Sequence, residues 1–217
     1  LRWEGYRTWW SGKWHIPEGS IPDGHGFTNI CGHNDNELAG ASVGFLKRRH
    51  DRPFFLVAGF DNPHNICQWA RNQPLPWGPV PQPKSVADCP NLPSNFAIPA
   101  YEPEAIRFEQ SRNAFAYPVT HFTEDDWRRY RYAYYRMVEK VDAEIGKILD
   151  ALQAEGLAEN TLVIFSSDHG DGHGAHQWNQ KSLLYEEAVR VPLIVRAPGM
   201  KVRGEVEERH LASIGLD

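Results

Sequence analysis

The sequence predicts an α/β fold, a largely parallel sheet sandwiched by helices. Two observations carry this. Apolar runs of strand length alternate with helical periodicity, in the order strand, loop, long helix, strand, loop, short helix, strand. Polar, histidine-bearing clusters follow those runs directly, where parallel strands hold ligands at their carboxyl ends. The 217 residues are enough for one such domain or part of a larger one, and 41% hydrophobic residues exclude a disordered chain.

The elements follow in order. Leu1 to Gly12 reads as a helix end, then Gly5, then a short strand over Tyr6 to Trp10. Asn36 to His50 is predicted helical, with Leu38, Val43, Phe45 and Leu46 apolar and the basic run Lys47-Arg48-Arg49-His50 at the negative end of the dipole. Phe54 to Phe60 is a continuous apolar run, predicted to be a buried parallel strand. The stretch at about 72–121 holds Pro74, Pro76, Pro79, Pro81 and Pro83. Proline lacks the amide donor and fixes φ, so an irregular surface excursion that shapes a pocket is expected there.

A long helix is predicted from a Thr123 cap to a Gly156 stop. Its apolar positions are Tyr134, Met137, Val138, Val141, Ile145, Ile148, Leu149 and Leu152. Thr161 to Ser167 is predicted to be another buried strand, Ser182 to Val189 a helix, and Val191 to Arg196 a third strand.

Charge and length exclude several function classes. A net charge of −5 argues against a general binder of nucleic acid or anionic membranes. No stretch approaches the roughly 20 apolar residues of a membrane span. Leu1-Arg2-Trp3-Glu4 has neither the basic start nor the apolar core of a signal peptide. Cys31, Cys67 and Cys89 form no CxxC pair and cannot close a disulfide framework.

Four clusters could do chemistry. Asp168-His169-Gly170-Asp171 follows a strand that would hold it rigidly. A carboxylate beside an imidazole suits a divalent cation: an oxygen-rich site would favour Ca²⁺ or Mg²⁺, several imidazoles Zn²⁺. Lys13 and His15 alternate in Gly12-Lys13-Trp14-His15, so on an extended segment both face one way, where they could bind an oxyanion and move a proton. His64 follows Pro63 at the end of the Phe54–Phe60 strand. Lys181 lies near the start of a predicted helix and could reach an anion.

Each motif alone is also compatible with an ordinary polar turn or a solvated side chain, which is the preferred reading for Lys13-Trp14-His15, His64 and Lys181 taken singly. Cys67 has no evident base and reads as an inert buried thiol. His173 and His176 remain open between site-facing and exposed roles. Trp69, Trp77 and Trp178 could stack on sugar rings, but ordinary packing is the preferred reading for each.

In order and spacing, these clusters together resemble the sulfatase family of the alkaline-phosphatase superfamily. Gly5-Tyr6-Arg7-Thr8 with Gly12-Lys13-Trp14-His15 is similar to its GYxT…GKWH segment, and Phe54 to His64 to its strand ending in PH. Val141 to Gly146 resembles the helix before its metal strand. Asp168-His169-Gly170, Lys181, Tyr185-Glu186 and Val191-Pro192-Leu193-Ile194 match its DHG…K…YE…VPLI stretch. The match spans the chain except the proline-rich middle.

The resemblance implies an alkaline-phosphatase-like fold and metal-dependent hydrolysis of a sulfate ester. Asp168 and His169 would be ligands of a divalent metal, usually Ca²⁺. Lys13 and Lys181 would bind the sulfate oxygens. His15 would act on the nucleophile's hydroxyl, and His64 would contact the sulfate and protonate the leaving oxygen. The substrate would be a sulfated small molecule or glycan, and the location periplasmic, secreted or lysosomal.

The family's CxPSR or SxPSR segment, whose Cys or Ser becomes a formylglycine nucleophile, does not occur in residues 1–217, nor do its early acidic metal ligands. The expectation is therefore a central part of a catalytic domain, inactive alone. It would have its nucleophile upstream of residue 1, and Ile214 to Asp217 would open the next conserved helix. Two other readings remain: a phosphate mono- or diester hydrolase on the same scaffold, and a non-catalytic remnant that binds sulfated glycans.

Overall fold

The computed structural model describes residues 1–15, 21–112 and 118–200. The expected helix at Ile214 to Asp217 lies outside them. Strand β1 (Arg7–Gly12) is the middle of three parallel strands, between β2 (Thr28–Cys31) and β3 (Phe54–Gly59). β1 and β3 run in register from Arg7 opposite Phe54 to Gly12 opposite Gly59, so the segments after both strands emerge side by side. Helix α1 (Asp35–Leu46) connects β2 to β3. Asn34 caps it, its side chain accepting from the Asn36 amide at 3.1 Å. The helix ends at Leu46 with Lys47 as its C-cap, so the basic run lies past the helix rather than in its last turn.

Helix α4 (Glu124–Ala154) has 31 residues, a length of roughly 46 Å at 1.5 Å per residue. Thr123 and Asp126 form a reciprocal capping box, with N–H to oxygen distances of 3.2 and 2.9 Å. Gly156 follows at φ +69, the left-handed stop that a residue without Cβ adopts at little cost. The helix bridges two cores. Its last turns bring Ala151 and Leu152 against Phe45 and Leu46 of α1, beside Trp9 and Phe54 of the sheet. Its first half packs Trp127, Tyr130, Ala133 and Met137 on Ile66, Val80 and Val119. Val138 and Leu149, expected in the apolar face, are exposed instead.

The proline-rich stretch is irregular, as its composition predicts, but it is more than a surface excursion. Val80, Cys89 and Val119 are buried, and Leu92 and Phe96 pack against the α4 core. It also contains α3 (Glu104–Arg112), and α2 (Ile66–Ala70) precedes it. Arg128 of α4 holds its backbone through the Cys89 and Pro90 carbonyls at 2.9 and 3.1 Å.

The last two strands depart from expectation. β4 (Val163–Ser166) and β5 (Leu193–Arg196) pair antiparallel in a separate two-stranded ladder. They are not buried: Ile164 is 59% and Ile194 62% exposed. A two-stranded ladder leaves both faces open unless something packs on them, and among the described residues these side chains remain largely uncovered. The Phe54–Gly59 strand is parallel as expected, but its side chains are partly exposed rather than buried. The helix expected over Ser182–Val189 shortens to α5 (Glu186–Val189). Among the described residues no helix is long and apolar enough to cross a membrane.

Candidate active site

Three strand ends supply the site. β1 leads into Lys13, β3 into Asp61 and His64, and β4 into Asp168 and His169. The join between the first two is close. The Lys13 amide donates to the Gly59 carbonyl at 2.7 Å, and a Cβ on Gly12 would lie 2.3 Å from that oxygen. Glycine is required there, and it fixes where Lys13 emerges.

Lys13 Nζ pairs with Asp61 Oδ1 at 3.0 Å, in a half-sheltered setting where the side chains are 18% and 5% exposed. The Asp61 carboxylate also receives His33 Nε2 at 3.2 Å and Trp77 Nε1–H at 3.2 Å. Burial pushes its pKa up, but Lys13, Trp77 and His33 outweigh that and hold it below the ordinary range. Trp77 packs on His33 with ring centroids 5.5 Å apart, so it belongs to the site rather than to the core.

Asp35, at the start of α1, positions this loop. Its two carboxylate oxygens accept the Asp61 and Asn62 amides, both at 2.8 Å, and its side chain is buried. Replacing Asp35 by Ala would orphan two buried amides. The expected loss is about 2–4 kcal/mol of stability, measurable by urea denaturation, with Asp35→Asn losing less.

His64 is a neutral imidazole at physiological pH. Burial, then the Lys13 charge, lower its pKa to about 4; Asp61 attracts the proton, and Lys181 and the neighbouring His169 act against it. Those influences gather residues 13, 61, 64, 169 and 181 into one cluster. Asp168 joins it. Burial raises its carboxyl, while the adjoining His169, backbone amides and Lys13 together bring it below its usual value.

His169 Nδ1 lies 2.7 Å from the Gly170 carbonyl, so that nitrogen carries the proton and Nε2 presents its lone pair. Lys181 Nζ approaches that lone pair at 2.6 Å. A backbone-oriented imidazole of this kind is suited to a metal, and the Asp168 side chain is 76% exposed beside it, its Oδ2 3.4 Å from Nε2. One carboxylate and one imidazole are only part of a shell for Ca²⁺, which takes six to eight oxygens. Among the described residues no group of three or more such ligands gathers.

The loop after His169 is held by Asp171, a member of the same cluster to which the sequence assigns no role. Its oxygens accept Tyr130 Oη–H at 3.0 Å, the His173 amide at 2.8 Å and the Gln180 amide at 3.0 Å. Burial pushes Asp171 up to about 6 despite these donors. Arg107 and Gln110 of α3 grip the His176 and Gln177 carbonyls at 2.5 and 2.9 Å, and Asn95 donates to Glu187 at 2.6 Å. The proline-rich stretch is thereby stapled to the loop that carries Lys181.

The structure does not bring every candidate together. His15 is exposed, and among the described residues no contact joins it to Lys13 or His64. Trp178 is buried and Trp69 packs in the α4 core, so neither offers a sugar platform. Cys67 is buried; burial raises its thiol, and Gln180 donates to it at 2.9 Å. His176 stacks on Tyr185, with centroids 4.4 Å apart.

His173 packs on Tyr134 with centroids 4.4 Å apart, and burial, then the Arg131 charge, lower it to about 3. The unfolded chain takes up a proton on this ring below about pH 6.5 that the folded chain refuses. Its contribution to stability therefore falls with pH from about 6.5 towards 3, by about 2 kcal/mol between pH 6.5 and 5. Asp171, with its raised pKa, works in the opposite sense. His173→Asn tolerates the positive φ and should shrink the loss of thermal stability between pH 6.5 and 5 relative to the parent.

His33 and Asp35 stand outside the clusters read from the sequence, while Asp61 and Asp171 lie within them without an assigned role. Asp61 directly follows an apolar run, a position that could have flagged it. His33 carries no comparable signal.

A sulfatase family model matches residues 1–214. The chain is 27% identical over 186 residues to a Delta 4,5-hexuronate-2-O-sulfatase of Bacteroides thetaiotaomicron, covering 81% of this chain and 37% of that protein. It is 31% identical over 178 residues to an arylsulfatase of Clostridium perfringens, covering 80% and 34%. A solved 2-O GAG sulfatase superposes with a TM-score of 0.73 at 25% identity, covering 91% of this chain and 45% of that one. The chain thus spans little more than a third of the length of these curated relatives.

Proposed function

The chain belongs to the sulfatase family, with its alkaline-phosphatase-like fold, and on that premise we propose that the protein carrying it hydrolyses sulfate esters of sugars. The observation that carries this is the placing of Lys13 and Asp61 beside His64 after β1 and β3, and of Lys181 against His169 in the loop after β4, with burial and the two ammonium groups keeping His64 neutral. Lys13 and Lys181 would hold the sulfate oxygens and stabilise the charge that develops on them. Lys13 would exchange Asp61 for the incoming anion, and Lys181 would turn from His169 Nε2.

The arriving anion would also offset the two ammonium charges that depress His64. Its pKa would rise, so that it could deliver a proton to the leaving oxygen. Asp168 and His169 would supply part of the shell of a divalent cation, Ca²⁺ by the family resemblance, whose charge would polarise the ester. The formylglycine nucleophile that the resemblance implies would come from outside residues 1–217, and His15 would act on its hydroxyl.

Trp77 and His33 beside the cluster suit a sugar ring. The 2-O-sulfated uronides acted on by the Bacteroides relative, as its name states, are the first substrates to try. Such substrates fit a periplasmic, secreted or lysosomal protein. The test is release of inorganic sulfate by the whole protein from a 2-O-sulfated uronate disaccharide, beside the matching phosphate ester. Sulfate release with little phosphate release is expected. Turnover of the phosphate ester alone would overturn the proposal in favour of phosphoester hydrolysis, and binding without turnover would overturn it in favour of a glycan-binding protein.

A further inference from the structure

The sheet has a second charged end. β1 and β3 run for six residues each, so their starts lie about 17–20 Å from the ends that carry the catalytic cluster. At those starts a cavity of about 160 Å³ is lined by Arg7, Trp9, Phe45, Phe54 and the segment 48–52. Its charge is concentrated in Arg7, Arg48, Arg49 and Arg52 against a single carboxylate, Asp51. Arg7 is paired with Asp51 at 2.9 Å. Among the described residues no carboxylate forms an ion pair with Arg48, Arg49 or Arg52. A chain of net charge −5 thus keeps a local excess of three positive charges in one concavity.

The floor is rigid and apolar. Trp9 and Phe45 pack with centroids 5.1 Å apart, and Phe45 and Phe54 at 5.2 Å and 88°. His50 lies 4.6 Å from the first phenylalanine ring and 4.8 Å from the second, with Nε2 3.1 Å from the Phe45 carbonyl. The basic segment is therefore anchored by His50 rather than left as a free tail. We propose that this cavity is a second anion site, which takes a sulfated sugar unit away from the catalytic centre.

Guanidinium forks match a sulfate ester group, and the apolar floor matches the C–H face of a sugar, which a bare ion would not use. The volume lies below the roughly 300–1,000 Å³ of drug-sized sites and suits a single ring. Nucleic acid fits less well. Away from this one concavity the chain is strongly negative, which would repel the rest of a long phosphate backbone. The choice of a sulfated ligand rests on the function proposed above. The site would tether a sulfated chain and raise its effective concentration at the catalytic end.

The probe is a heparin-derived hexasaccharide, titrated into the protein at about 0.15 M salt, where exposed charges are screened beyond roughly 8 Å. The triple variant Arg48→Ala, Arg49→Ala, Arg52→Ala should bind it about tenfold more weakly, and Arg49→Glu alone should weaken it measurably. A DNA oligonucleotide of equal charge should bind at least tenfold more weakly than the hexasaccharide. In a Lys13→Ala, Lys181→Ala background the same dependence on the three arginines should persist, which tests the cavity whether or not sulfate esters are turned over. Equal hexasaccharide affinity in parent and triple variant would overturn the site. Equal affinity for DNA would overturn the saccharide assignment.

Discussion

Replacing Lys181 by Ala is expected to lower kcat/KM for a sulfate ester about a thousandfold in the whole protein, at the upper end for loss of one preorganised transition-state contact. Lys181 has no carboxylate partner among the described residues; its ammonium is directed at the lone pair of His169 Nε2 at 2.6 Å. It is held there by a loop tied to Asp171, Arg107 and Gln110. From a loop so tied, only a turn of the Lys181 side chain away from Nε2 is needed to meet developing charge. Stability should change little, because the residue is only part-buried and forms no ion pair among the described residues. Kinetics beside a thermal melt separate the two effects, and a variant with parent-like kcat/KM would remove Lys181 from the mechanism.

Gly12→Ala is expected to damage fold and site together. The residue has φ +95, and an added Cβ would lie 2.3 Å from the Gly59 carbonyl oxygen and 2.3 Å from Leu38 Cδ1. Leu38 could turn aside, but the carbonyl belongs to the ladder that joins β1 to β3. Backbone strain and overpacking together should cost about 3 kcal/mol or more, which is about 6–12 °C in Tm for a domain of this size. Lys13 follows immediately, so activity should fall further than stability alone explains. Gly40→Ala is the control: it sits exposed inside α1 with nothing within 4 Å, and should be neutral or stabilising by about 0.5–1 kcal/mol. Equal melting temperatures for the two variants would contradict the close β1–β3 join.

Much of this architecture was legible in the sequence because apolar periodicity reports local structure. α4 stands out through its spacing, its Thr123 cap and Gly156, and β3 through its unbroken apolar run. What stayed hidden was short or long-range. β2 has four residues, too few to alternate recognisably, and α3 is a charged segment among prolines with one buried residue. The antiparallel pairing of β4 with β5 was invisible because an apolar run carries no information about orientation.

The candidate site divides in the same way. Lys13, His64, Asp168, His169 and Lys181 lie in local motifs. Their supports are pairings across the chain: Asp35 to residues 61 and 62, and Tyr130 to Asp171, 41 positions apart. No local pattern announces such pairs. His15 is the converse case: alternation with Lys13 predicts a shared face, and the structure leaves it exposed.

The most direct test of the account is the titration of the His64 ring followed by NMR, in the protein with and without saturating inorganic sulfate. Without sulfate the ring should titrate near pH 4, below an ordinary histidine. With sulfate seated between Lys13 and Lys181 its pKa should rise by one unit or more, and Lys13→Ala should abolish most of that rise. A His64 that titrates near 6.5 and ignores sulfate would contradict the claim that these strand ends form one anion site.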